Sequence, residues 1–284
     1  MSIRTSPTVR RRRLGSELRR LRELAGLTCE QAGDHLNCSA SKISRIETAR
    51  VPARVTDVQA LCQLYQAGIE QTVILVALAR ESKTEGWWQR YDGVLPDWFA
   101  TYVGLEAEAV EIHTYQIELI PGLLQTEGYA RALFEASELN APDEIESAVA
   151  IRRSRQEILR GDSPPQYWAV LSEAALYRMV GGPAIMRDQL LYLTEASELR
   201  NVTIQVIRLD VGAHPGMSTP FVILRFPDRD DPQVTFVDYL TGGLYLERPE
   251  EVDQFNLAFN HLVAAAESPH RSIDLIRTRA KEIS

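Results

Sequence analysis

The sequence predicts a mainly α N-terminal domain of five helices, followed by an α+β C-terminal domain with a small antiparallel sheet. Three observations carry that expectation. Apolar residues recur at helical spacing between residues 10 and 81. Four later runs are built like strands: Tyr167–Leu171, Val202–Ile207, Phe221–Phe226 and Val234–Tyr239. Charge also steps along the chain, with 14 Lys and Arg against 8 Asp and Glu in residues 1–83, and 17 against 31 in residues 84–284. The 284 residues therefore divide at 83/84 into two stretches, each long enough to bury a core.

The first helix spans about residues 10–25, with Leu14, Leu18, Leu21 and Ala25 on one face and arginines opposite. Leu27–Leu36 reads as a short second helix, in which Thr28 followed by Gln31 fits a capping box. Asn37-Cys38 makes a tight turn, because Asn37 tolerates the left-handed conformation. Ser39 then caps a third helix running to Glu47, which buries Ile43 and Ile46 and leaves Ser41, Lys42, Ser44, Arg45 and Thr48 outward. A fourth helix carries Val55, Val58, Leu61, Cys62 and Tyr65; a fifth carries Val73, Ile74, Val76, Ala77 and Leu78.

Helix, tight turn and helix, with small hydroxyls and two cations on the outer face, make a helix-turn-helix shaped for a DNA major groove. Ser41, Lys42, Ser44 and Arg45 are the expected groove contacts. Thr28 and Cys29 stand at the start of the second helix, where backbone amides favour phosphate, and Ser39 joins the set as the cap of the third. Arg50 and Arg54 are placed to hold phosphates, and Arg10–Arg13 to form an arm along the backbone or a minor groove. The basic balance of residues 1–83 on an otherwise acidic chain points the same way, since phosphate contacts dominate affinity for DNA.

The order and spacing of residues 11–80 resemble the XRE-type regulators related to phage repressors. Leu27-Thr28, Leu36, Ser39 and Ile43-Ser44-Arg45-Ile46-Glu47 stand where that family has them. Four positions depart. Cys29 replaces a phosphate-touching glutamine, Ala32-Gly33 replaces a Leu-Ala pair, and Asn37 replaces a turn glycine. The resemblance implies an operator-binding protein, and the Cys29 change implies that one family contact with DNA is missing.

Beyond residue 84 the chain opens with two aromatic clusters, Trp87-Trp88-Gln89-Arg90-Tyr91 and Trp98-Phe99, expected in a core or a packing surface. A helix is expected over 103–118, with Leu105, Ala109, Ile112 and Gln116 along one face. Pro121-Gly122 breaks the chain before a helix beginning near Glu127, and another covers 144–159 with Arg152, Arg153, Arg155 and Arg160. Strand Tyr167–Leu171, a helix over 184–198 and strand Val202–Ile207 follow. Phe221–Phe226 and Val234–Tyr239 read as a hairpin, and helices near 249–266 and 271–282 close the chain.

This body resembles the C-terminal domain of the WhiJ-like actinobacterial regulators. The resemblance rests on Trp87-Trp88, Leu105-Glu106, Glu108-Ala109, Pro121–Thr126 with Tyr129-Ala130, Arg152 with Arg155, Val180–Pro183 and Gln189-Leu190. It implies an antitoxin-like transcriptional regulator with a small partner protein. The alternative it leaves open is a protein-interaction module whose DNA contact is mainly autoregulatory.

No arrangement of catalytic type is found: the sequence has no G-x-S-x-G elbow, no H-E-x-x-H and no phosphate-binding glycine loop. The expectation is a regulator and not an enzyme, with no cofactor and no metal. Cys29, Cys38 and Cys62 read as small core thiols without metal spacing. The longest apolar run, Val73–Ala79, falls far short of the ~20 residues of a membrane helix, and no signal peptide is apparent. A cytoplasmic homodimer on double-stranded DNA is expected, with no membrane contact. The acidic body would take a partner protein or a small-molecule effector, near Gln125, Arg152, Arg155, Glu173 and His214.

Overall fold

A computed structural model describes residues 7–81, 95–137, 142–227 and 231–283. The chain divides into two compact units, residues 1–89 and 90–284. The Trp87–Tyr91 cluster lies outside the described residues.

The first unit is built from α1 (Pro7–Leu24), α2 (Cys29–His35), α3 (Ala40–Glu47), α4 (Val55–Leu64) and α5 (Ile69–Glu81). Its core gathers Leu14, Leu18, Leu21, Ile43, Ile46, Val58, Leu61, Cys62, Tyr65 and Leu75. On α5 the expected apolar face is rotated: Leu75, Val76 and Ala79 are buried, while Val73 and Ile74 are exposed. That whole stretch is apolar, so periodicity left its inner face undetermined, and packing chose it.

Helices α1 to α4 end in the same device. Gly26, Asn37, Ala49 and Gln66 each take positive φ, at 69°, 51°, 58° and 56°. In each case the next amide reaches back five residues, as in Leu27 N to Arg22 O at 3.0 Å and Arg50 N to Arg45 O at 2.8 Å. These are Schellman closures, and only the first uses glycine. Asn37 takes the left-handed conformation expected of it. Close approach matters at Gly15, where a Cβ would lie 2.5 Å from the Glu47 carbonyl, so α1 can cross the end of α3 only without a side chain there.

The second unit follows as α6 (Asp97–Glu106), β1 (Glu111–Gln116), α7 (Glu127–Ala136), α8 (Pro142–Gln156), β2 (Gln166–Ser172), α9 (Ala174–Tyr177), α10 (Pro183–Ala196), β3 (Val202–Ile207), β4 (Phe221–Arg225), β5 (Val234–Tyr239), β6 (Gly242–Leu246), α11 (Pro249–Ala265) and α12 (Pro269–Glu282). Its six strands form one sheet in the order β3-β2-β1-β4-β5-β6. The α+β class stands, and the sheet is larger than expected and mixed. β1, β2 and β3 are parallel, whereas β1–β4, β4–β5 and β5–β6 are antiparallel.

The parallel half follows from a correction at 103–118. The helix stops at Glu106, and residues 111–116 form the central strand, pairing Ile112 with Tyr167 on one side and Leu224 on the other. Leu105, Ala109, Ile112 and Gln116 fit a helical face, but Glu111–Gln116 also alternates as a strand, and two flanking partners decide for the strand. Helices α7 and α8 form the crossover from β1 to β2, as a parallel pair requires.

The two sheet faces carry different contents. Tyr115, Val170, Phe221 and Ile223 pack with Phe259 and Leu262 of α11. His113 on that face stacks on Phe259, with ring centroids 4.6 Å apart, and burial, then the nearby Arg225, pushes its pKa down to about 4. Ile112, Thr114 and Gln116 of β1 line a cavity with the α6 residues Tyr102 and Glu106. The β3 edge is closed by Ser272 of α12, whose Oγ accepts from Val206 N at 2.9 Å. Trp98 and Phe99 take the packing role expected of them, against Phe236 and Tyr102.

Candidate nucleic-acid interface and buried ionic cavity

In the first unit, local chemistry sets α2 and α3 before packing does. Thr28 N donates to Gln31 Oε1 at 2.8 Å and Gln31 N to Thr28 Oγ1 at 3.2 Å, closing the capping box. Ser39 Oγ accepts from Lys42 N at 3.2 Å and starts α3. With Ile43 and Ile46 buried, Ser41, Ser44, Arg45 and Thr48 lie exposed on the outer face, and Arg50 and Arg54 are exposed beyond it.

The candidate contacts are not equivalent. The Arg45 guanidinium has no hydrogen-bond or ion-pair partner among the described residues. Lys42 is committed within the chain, its Nζ 2.9 Å from Asp57 Oδ2 of α4. Cys29 points inward: its Sγ lies 3.9 Å from Glu47 Oε2, and burial, then Glu47, raises its pKa. Thr48 turns its hydroxyl back to the Ser44 carbonyl at 2.7 Å.

Sequence reasoning missed the group that fixes this helix. Arg22 of α1 donates Nε to Glu47 Oε1 at 2.7 Å and Nη2 to Oε2 at 2.9 Å, and its Nη1 reaches the Leu27 carbonyl at 2.7 Å. One side chain thus ties the last turn of α3 to the entry of α2. Arg22 is 9% exposed and Glu47 8%. The signal was present in Arg22 itself, a cation one position past the buried Leu21, where the neighbouring Arg19 and Arg20 are exposed.

In the second unit, three glutamines fix the loop that follows β1. Gln125 Nε2 donates to Ile120 O at 2.7 Å. Gln156 Nε2 donates to Gly122 O at 3.0 Å and to Gln125 O at 2.5 Å. Gln189 of α10, fully buried, donates to Leu124 O and accepts from Thr126 N, both at 2.7 Å. A Cβ at Gly122 would meet the end of the Arg152 side chain, so the glycine leaves that guanidinium its present place.

Beside this loop lies a partly open cavity of about 40 Å³. Arg155 grips Glu106 there, Nε to Oε1 at 2.7 Å and Nη2 to Oε2 at 2.8 Å, and the Tyr102 hydroxyl donates to Oε2 at 2.7 Å. Burial alone would lower the Arg155 pKa, but the Glu106 charge and hydrogen bonds outweigh it and raise it. Burial, then Glu106, raises Tyr102 and Tyr167. Arg152 lies over the Phe134 ring at 5.5 Å, and burial, then Arg155, brings its pKa down to about 9, so it stays charged at neutral pH.

The five residues expected to mark one ligand site do not share it. Gln125, Arg152 and Arg155 gather around the 120–126 loop, and Arg155 alone lines the cavity. The Glu173 carboxylate, at the end of β2, accepts from Leu209 N at 2.8 Å and so closes the loop after β3. His214 sits edge-on to Tyr115, 5.8 Å between centroids, towards the α11 side of the sheet. The arginines of this stretch also divide: Arg155 of α8 faces inward, while Arg153 of α8 and Arg160 just beyond its end are exposed.

Among the described residues no group of His, Cys, Asp and Glu is arranged to hold a metal ion, and no helix is long and apolar enough to cross a membrane. No curated protein and no solved structure matches the chain. Residues 13–73 match the family model of a helix-turn-helix domain, which makes the first unit a DNA-binding module of a regulator. Residues 99–278, more than half of the sequence, match a second family model, and the chain therefore belongs to the family of that domain of unknown function, DUF5753.

Proposed function

We propose that this chain is a cytoplasmic, sequence-specific transcriptional regulator of WhiJ-like, XRE type. It binds a near-palindromic operator as a homodimer and performs no catalysis. One α3 per protomer enters each of two successive major grooves roughly 34 Å apart. Arg45, Ser41 and Ser44 read base edges, and Lys42 joins them by exchanging Asp57 for DNA. Thr28, Cys29 and Ser39 offer helix-start amides to phosphate, and Arg50 and Arg54 hold the flanking backbone. The body, proposed to begin at residue 84, supplies dimerisation and takes a small effector or a partner protein.

The observation that carries this reading is the Arg45 guanidinium, without a hydrogen-bond or ion-pair partner among the described residues, beside the exposed Ser41 and Ser44 on a helix whose opposite face is buried through Ile43 and Ile46. Its test is genome-wide capture of DNA bound to the tagged protein, followed by a salt titration on the strongest site. A compact inverted repeat bound with a steep salt slope is expected. Diffuse enrichment with no motif would overturn the operator reading and favour the antitoxin-like module, for which the acidic balance of residues 84–284 speaks.

A further inference from the structure

Lys42 and Arg45, the two cations on the outer face of α3, are held on different terms. Arg45 is exposed and has no hydrogen-bond or ion-pair partner among the described residues. Lys42 Nζ lies 2.9 Å from Asp57 Oδ2, with the lysine side chain 35% exposed and the aspartate side chain 16%. The pairs of Arg19 with Glu23 and of Arg20 with Glu17 run along α1, and that of Arg22 with Glu47 is buried. Lys42 with Asp57 instead joins the groove-facing helix to α4 and leaves its cation partly open to solvent.

The two partners differ in freedom. Asp57 stands on a short side chain in the first turn of α4, where a carboxylate also favours the helix, so the backbone fixes its place. Lys42 carries its ammonium on a flexible four-carbon stem. DNA approaching α3 can therefore draw Lys42 away, but Asp57 cannot follow. That exchange has two costs. The ion pair breaks, and a mostly buried carboxylate loses its counter-charge while phosphates close in. Arg45 meets neither cost.

We infer that Asp57 is an internal competitor for DNA, an anion built into the first unit that holds Lys42 back and sets operator affinity below what the α3 face alone would give. This deepens the operator reading and rests on it. It also makes the salt dependence unusual. When Lys42 moves to DNA it releases one counterion, but the uncovered Asp57 gathers a cation in return, so the pair adds almost nothing to the native salt slope.

A double-mutant cycle on the full chain tests this. The native chain, Asp57→Asn, Lys42→Met and the double variant are titrated against the strongest captured duplex by fluorescence anisotropy over a range of salt. Asp57→Asn should tighten binding by about threefold or more. It should also steepen the slope of log affinity against log salt by about 0.9. The same change in the Lys42→Met background should do markedly less, because it then removes only the repulsion between Asp57 and phosphate. Asp57→Glu, which keeps a carboxylate within reach of Lys42, should stay near the native affinity. Circular dichroism checks the fold of each variant, and Asp57→Ser replaces the asparagine should that unfold the chain. Unchanged or weaker binding by the folded Asp57→Asn chain, or an equal gain with and without Lys42, would overturn the competition alone. Failure of the native chain to bind the captured duplex and a random-sequence duplex would overturn it together with the operator reading.

Discussion

Each unit buries a bidentate arginine–glutamate pair, and the two pairs differ in what is left of the arginine. In the first unit, all three Arg22 nitrogens are used, two by Glu47 and one by the Leu27 carbonyl. In the second, Arg155 spends two nitrogens on Glu106, while the third, Nη1, is buried without an acceptor among the described residues. A buried ion pair adds little net stability, because desolvation offsets attraction, but it holds geometry firmly. The closed pair therefore acts as a pin that orients α3. The second pair holds α8 to α6 in the same way but leaves one donor unsatisfied, which costs stability.

The largest effects should come from removing either arginine. Arg22→Ala strands Glu47, and Arg155→Ala strands Glu106; each should cost about 3–5 kcal/mol, read by calorimetry. Hydrogen exchange separates them: protection falls in α2 and α3 for the first, and in α6 and β1 for the second. An unchanged transition in either variant would break the parallel between the pairs.

Acid sharpens the contrast next. His113 lies against α11 with its pKa down to about 4, while His35 of the first unit is exposed. Because the folded value is depressed, the unfolded chain binds the proton first as pH falls. His113 thus contributes stability that is complete above about 6.5 and is lost as pH drops through about 4. Its full size is on the order of 3 kcal/mol. His113→Phe should flatten the acid limb of a pH–stability curve for the second unit. Equal acid loss in both units would assign the effect to other groups.

Arg45→Ala tests the surface that the closed pair orients. It should weaken DNA binding by about 1–3 kcal/mol while leaving the melting temperature unchanged, because the exposed side chain has no hydrogen-bond or ion-pair partner among the described residues. Operator affinity equal to the native value would remove Arg45 from the base-reading set. The smallest effect is local. Gln66 holds φ at 56° where the other closures use Gly26, Asn37 and Ala49, so Gln66→Gly should stabilise the first unit by about 0.5–1 kcal/mol. Loss of stability there would show that Gln66 contributes something besides the turn.

What the sequence alone determined is what neighbours within one or two turns decide. The Thr28–Gln31 box, the Ser39 cap, the left-handed Asn37 and the inward Ile43 and Ile46 depend on residues three or four positions apart, so pattern and propensity suffice. The β4–β5 hairpin was legible for the same reason, two alternating runs across one short loop. Tertiary structure decided the rest. Glu111–Gln116 became a strand only through partners 55 and 114 residues away at Gln166 and Arg225. Lys42 was drawn to Asp57, Glu47 to Arg22, Glu106 to Arg155 and the Gln189 amide to Leu124, across separations of 15, 25, 49 and 65 residues. No spacing rule reaches that far. Once such groups lose water, the nearest complementary charge or carbonyl must satisfy them, and only the folded chain fixes which one that is.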